Sequence, residues 1–348
     1  MPMASPVLRG ALLALLAATL FGLSTPLVQR FGVDLGPFTT AALLYLGAAL
    51  VALFQRRAAS AEAPLRRGDA PRLLAMVAAG AVVGPVALAW GLQRTSGASA
   101  SLLLTLEAVF TALLAWRWYG ETMDRRVVTA VLLLLAGGLL LVVDQGMAGA
   151  VQLSGLLAVA VATLAWGVDN TLSRGVADRD PGQVVLTKAA LGAGATGLVA
   201  WLWGEAVPSL HAALALLAVG ASGYGLSLRF YLLAQRQFGA ARTGSVFAFA
   251  PFIGALGAFA LGERSVSGLW LLGGALMVVG LVIHLLEDHA HGHDHAAMEH
   301  EHAHRHDDGH HDHRHDPLPT GPHSHWHRHV VLHHAHPHVP DAHHQHSH

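Results

Sequence analysis

Ten apolar stretches, each near the twenty residues that a helix needs to cross the hydrocarbon core of a bilayer, follow one another through the first 288 residues. They run approximately over 8–29, 37–55, 72–92, 97–118, 127–143, 152–173, 183–203, 211–234, 240–261 and 267–286. Lipid offers a backbone no hydrogen-bond partner, so a chain of this kind folds as spanning helices that satisfy their own amides. Charged residues make up only 12% of the 348 positions, about half the share of a soluble domain. The run from Gly10 to Leu23 behind Arg9 has the look of a secretory leader, but it continues into Pro26, Leu27 and Val28. It is expected to be an uncleaved first span. Cysteine is absent, which removes disulfides, thiolate metal sites and cysteine nucleophiles from consideration.

Positive charge orients the spans. With the N-terminus inside, fifteen arginines and lysines fall on the cytoplasmic side, among them Arg56, Arg57, Arg66, Arg67, Arg125, Arg126 and Arg179. Only Arg30, Arg94 and Arg264 fall outside. This bias places both termini in the cytoplasm and the protein in the inner (plasma) membrane.

The chain also repeats itself. Gln93-Arg94, Gly97-Ala98 and Gly120-Glu121 recur 142 residues later as Gln235-Arg236, Gly239-Ala240 and Gly262-Glu263. Thr19-Leu20 returns as Thr163-Leu164, 144 residues on. Five spans separate equivalent points, and five is odd, so the copies insert in opposite directions. The fold expected is an all-α polytopic membrane protein of ten transmembrane helices in two inverted five-helix repeats, 1–146 and 147–288, followed by a disordered tail over 289–348. Inverted repeats are the architecture of alternating-access transporters, with the substrate site near the midplane between the halves. A membrane scaffold that arose by duplication is the alternative.

The residues Trp166-Gly167, the stretch from Leu106-Glu107-Ala108-Val109-Phe110 to Gly120-Glu121, and that from Ala250-Pro251-Phe252 to Gly262-Glu263 resemble the EamA-type branch of the drug/metabolite transporter superfamily. The resemblance covers about residues 8–286 and implies a secondary transporter, frequently an exporter of amino acids or other small metabolites. Glu107-Ala108 stands where the family often has Glu-Pro, and Phe21-Gly22 where it has Trp-Gly.

Ionisable groups inside a span are costly and so mark candidate sites. Glu107 lies about ten residues from either end of its span, ~15 Å deep by helical rise. A carboxylate there can carry a proton through a transport cycle, or it can stay protonated and merely hydrogen-bond a neighbouring helix. Its counterpart in the second copy is Phe249 or Ala250, so the site is asymmetric. Asp169 and Asn170 sit near the cytoplasmic end of the sixth span, and Lys188, the one lysine of the chain, enters the seventh from the same side. An Asp169–Lys188 pair is within reach, either as part of the path or as a buried ion pair that fixes helix register. Ser24 and Thr25 occupy the corresponding place near the opposite mouth, and Tyr224 and Ser227 are added as path candidates by span location. Arg94, Arg236, Glu121 and Glu263 read as structural groups at helix ends, with each glutamate serving the dipole of the helix that follows it. Trp90, Trp116, Trp118, Trp201 and Trp203 suit interface belts.

Of 26 histidines, 24 fall in residues 289–348. His289, His291, His293 and His295, then His300, His302, His304 and His306, and later His323, His325, His327 and His329 alternate with other residues; His310, His311, His313 and His315 lie between. The tail is too polar to build a core, and neutral imidazole suits Ni²⁺, Co²⁺, Zn²⁺ and Cu²⁺, so a divalent transition metal is the expected ligand. A pH-responsive polyelectrolyte is the other reading. The tail resembles the His-rich extensions of some metal-efflux proteins.

The function expected is secondary-active export of a small polar metabolite or amino acid, with the tail binding metal in the cytoplasm. The alternatives are efflux of a transition-metal ion and a non-transporting metal-sensing scaffold. No nucleotide loop, Ser/His/Asp arrangement or zinc-hydrolase spacing points to an enzyme. The expected partners are the bilayer and a small molecule or ion, with a homodimer left open, no nucleic acid and no required cofactor.

Overall fold

The computed structural model describes residues 6–54, 63–120, 123, 125–176, 179–238, 240–264 and 266–285, and the backbone of 290–295, 298–304, 323–329 and 332–337. Long helices begin with α1 (Pro6–Gly32) and α2 (Pro37–Phe54). Next come α3 (Ala70–Met76), a π-helical segment over Val77–Val83, and α4 (Gly84–Leu92), which form one continuous run. After α5 (Gly97–Leu103) and α6 (Leu106–Tyr119) lie α7 (Arg125–Ala148), α8 (Ala150–Ser173) and α9 (Pro181–Leu202). The second half continues with α10 (Leu210–Val219), a π-helical segment over Gly220–Leu226, and α11 (Ser227–Phe238). It ends with α12 (Ala240–Phe247), α13 (Ala250–Ala260) and α14 (Gly268–Leu285).

Among the described residues, eight helical runs are long and apolar enough to cross a membrane, from Leu8–Gly32 to Leu210–Tyr231. This makes the protein a multi-pass membrane protein. The last two expected spans are different. The stretch 240–261 is cut into α12 and α13 by a turn at residues 248 and 249, and α13 and α14 are apolar but shorter. Pro251 accounts for the cut, because it has no amide to give to the Phe247 carbonyl and its ring crowds that turn, whereas in the first turn of a new helix neither matters.

The irregularities fall in register. The two π-helical segments begin 143 residues apart, at 77 and 220, and end 143 apart, at 83 and 226. The turn at 104 and 105 that separates α5 from α6 lies 144 residues before the turn that separates α12 from α13. Pro85, just beyond the first π segment, withholds an amide and crowds the preceding turn, and a widened turn relieves both. The second segment has no proline and is instead glycine-rich.

Small residues bring the backbones together, as lipid-embedded packing requires. A Cβ on Gly220 would stand 2.0 Å from the Leu44 carbonyl oxygen, and one on Gly47 would stand 2.2 Å from that of Leu217. No side chain fits between α2 and the α10 run.

The two ends of the bundle are held differently. At the end bearing Thr95, Gln29 donates to the carbonyls of Leu92 (3.2 Å) and Thr95 (3.0 Å), and Gln93 to those of Gly32 (3.2 Å) and Leu35 (2.7 Å). Glu205 accepts from the amides of Phe38 and Thr39 at the start of α2, and Glu263 from the Ala98 amide in α5. Glu263 therefore serves the head of a first-half helix, and Ser267 caps α14 by accepting from the Trp270 amide. At this end α5 packs on α13; toward the other, α6 lies on α8 and α12 on α1 and α11. Among the described residues α6 and α12 have no comparable packing on one another. The opposite end is tied by Arg179 to Asp69 at 2.8 Å and by Arg72 to the Gly175 carbonyl.

In the tail, β1 (Ala290–His295) pairs antiparallel with β4 (Leu332–Pro337), and β2 (Met298–His304) with β3 (His323–His329). The backbone of these stretches is thus paired where the sequence reading expects disorder. Histidine at every second position has the period of a strand, and that pattern is compatible with the ladder.

Gly220→Ala is expected to lower the melting temperature of the detergent-solubilised protein, at a cost of about 1–3 kcal/mol. Gly194→Ala, where a Cβ meets nothing within 4 Å, is expected to leave it unchanged or slightly higher. Equal melting of both variants would show that the α2 contact does not depend on the missing side chain.

Candidate transport site

The first π segment creates the centre of the site. A π turn breaks the regular i to i−4 ladder, and the Gly80 carbonyl inside it accepts from two side chains of other helices. Tyr45 of α2 donates its hydroxyl at 2.5 Å, and Trp166 of α8 its indole N–H at 3.0 Å. Gly80 also makes room for Asp169, one helical turn below Trp166, because a Cβ there would collide with the Asp169 carboxylate.

Lys188 Nζ of α9 is bonded to Asp169 Oδ2, and the side chains of the pair are only 19% and 7% exposed. Asp169 Oδ1 is buried with no hydrogen-bond partner. Beside it, exposed Asn170 donates to Glu107 Oε1 at 2.5 Å. Glu107 is half-buried in the first turn of α6, immediately after the interruption at 104 and 105. It is near enough to act electrostatically on Asp169, Lys188, Tyr45 and Tyr224.

An aromatic wall faces this polar cluster. Phe21 of α1 stacks edge-on against Trp166 (6.5 Å between centroids) and Tyr224 (5.9 Å), and lies 5.4 Å from Phe247 of α12. Tyr224 belongs to the second π segment, touches Tyr45 at 5.7 Å and lies beside Ser24, whose hydroxyl donates to the Phe21 carbonyl at 2.6 Å. Both π segments thus supply groups to one place.

Of the residues singled out by sequence, the structure gathers Glu107, Asp169, Asn170, Lys188, Ser24 and Tyr224. Thr25 and Ser227 are packed between helices instead. Thr25 is 2% exposed, and Ser227 is buried and donates to the Ala17 carbonyl at 2.9 Å, joining α11 to α1. Arg94 lies over the Trp90 ring and donates to its carbonyl, away from the site. Glu121, the Arg236 side chain and His289, His306, His310, His311, His313 and His315 lie outside the described residues. The other tail histidines named above are described in backbone only, within the four strands. Among the described residues no group of three or more His, Asp or Glu is gathered as a metal site. The sequence reading missed Phe21, Phe247, Tyr45 and Gly80 as lining groups. Tyr45, a lone phenol in the middle of an apolar span, was the available signal.

The model of the EamA-like transporter family matches this chain twice, over residues 8–143 and 153–286. The chain belongs to that family. It is similar to an uncharacterized transporter of Methanothermobacter thermautotrophicus, 25% identical over 295 residues that cover 79% of this chain and 86% of the relative. A solved crystal structure of a protein superposes with a TM-score of 0.56 at 21% identity, covering 80% of this chain and 95% of its own, and supports the fold alone. Family membership points to a membrane transporter rather than an enzyme.

Breaking one side of a buried ion pair strands the other charge, at about 3–5 kcal/mol. Lys188→Met and Asp169→Asn are each expected to lower the unfolding midpoint by that order, and the double variant to regain most of the loss. Additive losses in the double variant would show that the two groups do not depend on each other.

Proposed function

We propose that this protein is a secondary-active exporter of a small polar metabolite or amino acid, working by alternating access between two five-helix halves of opposite orientation. Counting α12 with α13 as one crossing and α14 as another gives ten crossings, with both termini cytoplasmic. The observation that carries the reading is the register of the irregularities. Widened turns at 77–83 and 220–226, and interrupted helices at 104–105 and 248–249, recur at nearly the offset of the sequence repeat and bracket one polar cluster. Interrupted helices near the midplane, one from each half, are how inverted-repeat transporters build a binding site. The packing of α5 on α13, with α6 and α12 apart, fits a site closed toward the Thr95 end and reached from the other. Glu107 is the proton carrier in this scheme.

Metal efflux is less well supported by the bundle, where Asp169 is taken by Lys188 and Glu107 is held by Asn170. The tail is the better place for a metal. The backbone register sets His300 opposite His327, His302 opposite His325 and His304 opposite His323, with His291 and His293 opposite His336 and His334. Directly opposed positions in such a ladder lie about 4.5–5.5 Å apart at Cβ, a spacing that suits two imidazoles on one ion.

The natural chain has no cysteine, so single substitutions can be labelled cleanly. Arg94→Cys and Arg236→Cys are expected to react with a membrane-impermeant maleimide from opposite faces. Ala108→Cys, beside Glu107, is expected to react from either face as the gradient is reversed. Labelling of Arg94→Cys and Arg236→Cys from one face removes the inverted repeat; labelling of Ala108→Cys from one face under every gradient removes alternating access. Elemental analysis after Ni²⁺ or Zn²⁺ loading should find metal on the full chain and little on a 1–288 truncation, and equal content would end the role given to the tail.

A further inference from the structure

We infer that the cargo is an organic ammonium ion: a small amine, positively charged, with an apolar or aromatic body. The inference rests on the alternating-access reading above, concerns the same site, and narrows its cargo to amines, leaving out zwitterionic amino acids.

Charge decides the sign. Among the described residues the ionisable groups that face Glu107 are Asp169 from α8, Lys188 from α9, Tyr45 from α2 and Tyr224 from the second π segment. The arginines of α6 and α7, Arg117, Arg125 and Arg126, stand at the far ends of their helices. Two carboxylates therefore share one lysine, and that lysine is bonded to Asp169. Among the described residues Glu107 has the neutral amide of Asn170 alone. In a low-dielectric site such a deficit is met by a proton or by a cation, and an anionic cargo would deepen it.

Hydrogen bonding narrows the cation to one that donates. Asp169 Oδ1 is a carboxylate oxygen, buried and unpartnered, in a residue only 5% exposed. A buried acceptor left empty costs free energy, and an ammonium group brings three donors, enough for Asp169 Oδ1 and Glu107 together. A zwitterion would bring the same ammonium but would also place its carboxylate against a cluster already rich in negative charge.

The wall fits the remainder of such a molecule. Phe21, Tyr224 and Phe247 are each partly exposed and lie beside the polar cluster, and aromatic rings accept both apolar surface and the edge of a cation. Glu107 can hold a proton or face the ammonium, and holding one excludes the other. That exclusion alone couples outward movement of the amine to inward movement of a proton, with no covalent step.

Calorimetric titration of the full-length protein in nanodiscs, with chelator present to keep the tail metal-free, tests this with three matched probes. Phenethylamine is expected to bind, phenylalanine to bind roughly tenfold or more weakly, and phenylacetate not to bind, on the scale that a buried charge contact sets. Binding of the amine should release a proton, seen as a dependence of the heat on buffer ionisation. Glu107→Gln should lose both the release and roughly tenfold or more in affinity. Glu107→Asp, which keeps the charge, should retain the release. Phenylalanine or phenylacetate binding as tightly as the amine overturns the inference, as does unchanged amine affinity in Glu107→Gln or no binding by any probe. If these fail while Ala108→Cys still changes its accessible face, the cargo class is wrong and the transporter stands. If Ala108→Cys never changes face, the transporter reading itself fails.

Discussion

A backbone carbonyl released from its helix inside lipid has no water to turn to, and the architecture of this protein is organised around one such group. The widened turn at Val77–Val83 presents the Gly80 carbonyl, and Tyr45 and Trp166 meet it from helices on either side. Those two bonds fix α2 and α8 against the third crossing. They also set the height of Asp169, and through Asn170 the place of Glu107. The polar cluster is thus a consequence of a backbone fault rather than an independent addition to a finished bundle. Replacing Gly80 by a residue with a Cβ would close the space that Asp169 fills.

Charge within this cluster is arranged unequally. Lys188 neutralises Asp169 and leaves Glu107 with a neutral donor, although all three lie in one electrostatic neighbourhood. A fully neutral cluster would be a stable strut with little to exchange. Among the described residues the cluster is one positive charge short, and it is this deficit that the exporter proposed above uses to couple a proton to a cation.

Much of this was readable from residue order. Span positions follow from uninterrupted apolar runs, and lipid leaves helices as the one way to satisfy them here. The glycines of the doublets Gly120-Glu121 and Gly262-Glu263 both have positive φ, a conformation that favours glycine. Glu107, Asp169 and Lys188 stood out because charge is rare at such depth. What was not legible depends on three-dimensional pairing. The π segments share only Ala-x-Gly, at Ala78-Ala79-Gly80 and Ala221-Ser222-Gly223, a pattern too common in so apolar a chain to announce a widened turn. Thr25 and Ser227 could not be told from lining residues, because a hydroxyl facing a neighbouring helix and one facing a cavity look alike in sequence. The Ala98 amide as a partner of Glu263 was hidden for a similar reason, because 165 residues separate the two along the chain.

Glu205 and Glu263 both come from the second half, and both hold amides at the head of first-half helices, on the Thr95 face. Separating the halves there strips two carboxylates of their donors, while the seam between α6 and α12 has no comparable clasp among the described residues. In the alternating-access scheme proposed above, opening the Thr95 side means undoing bonds made by side chains that never touch the cargo.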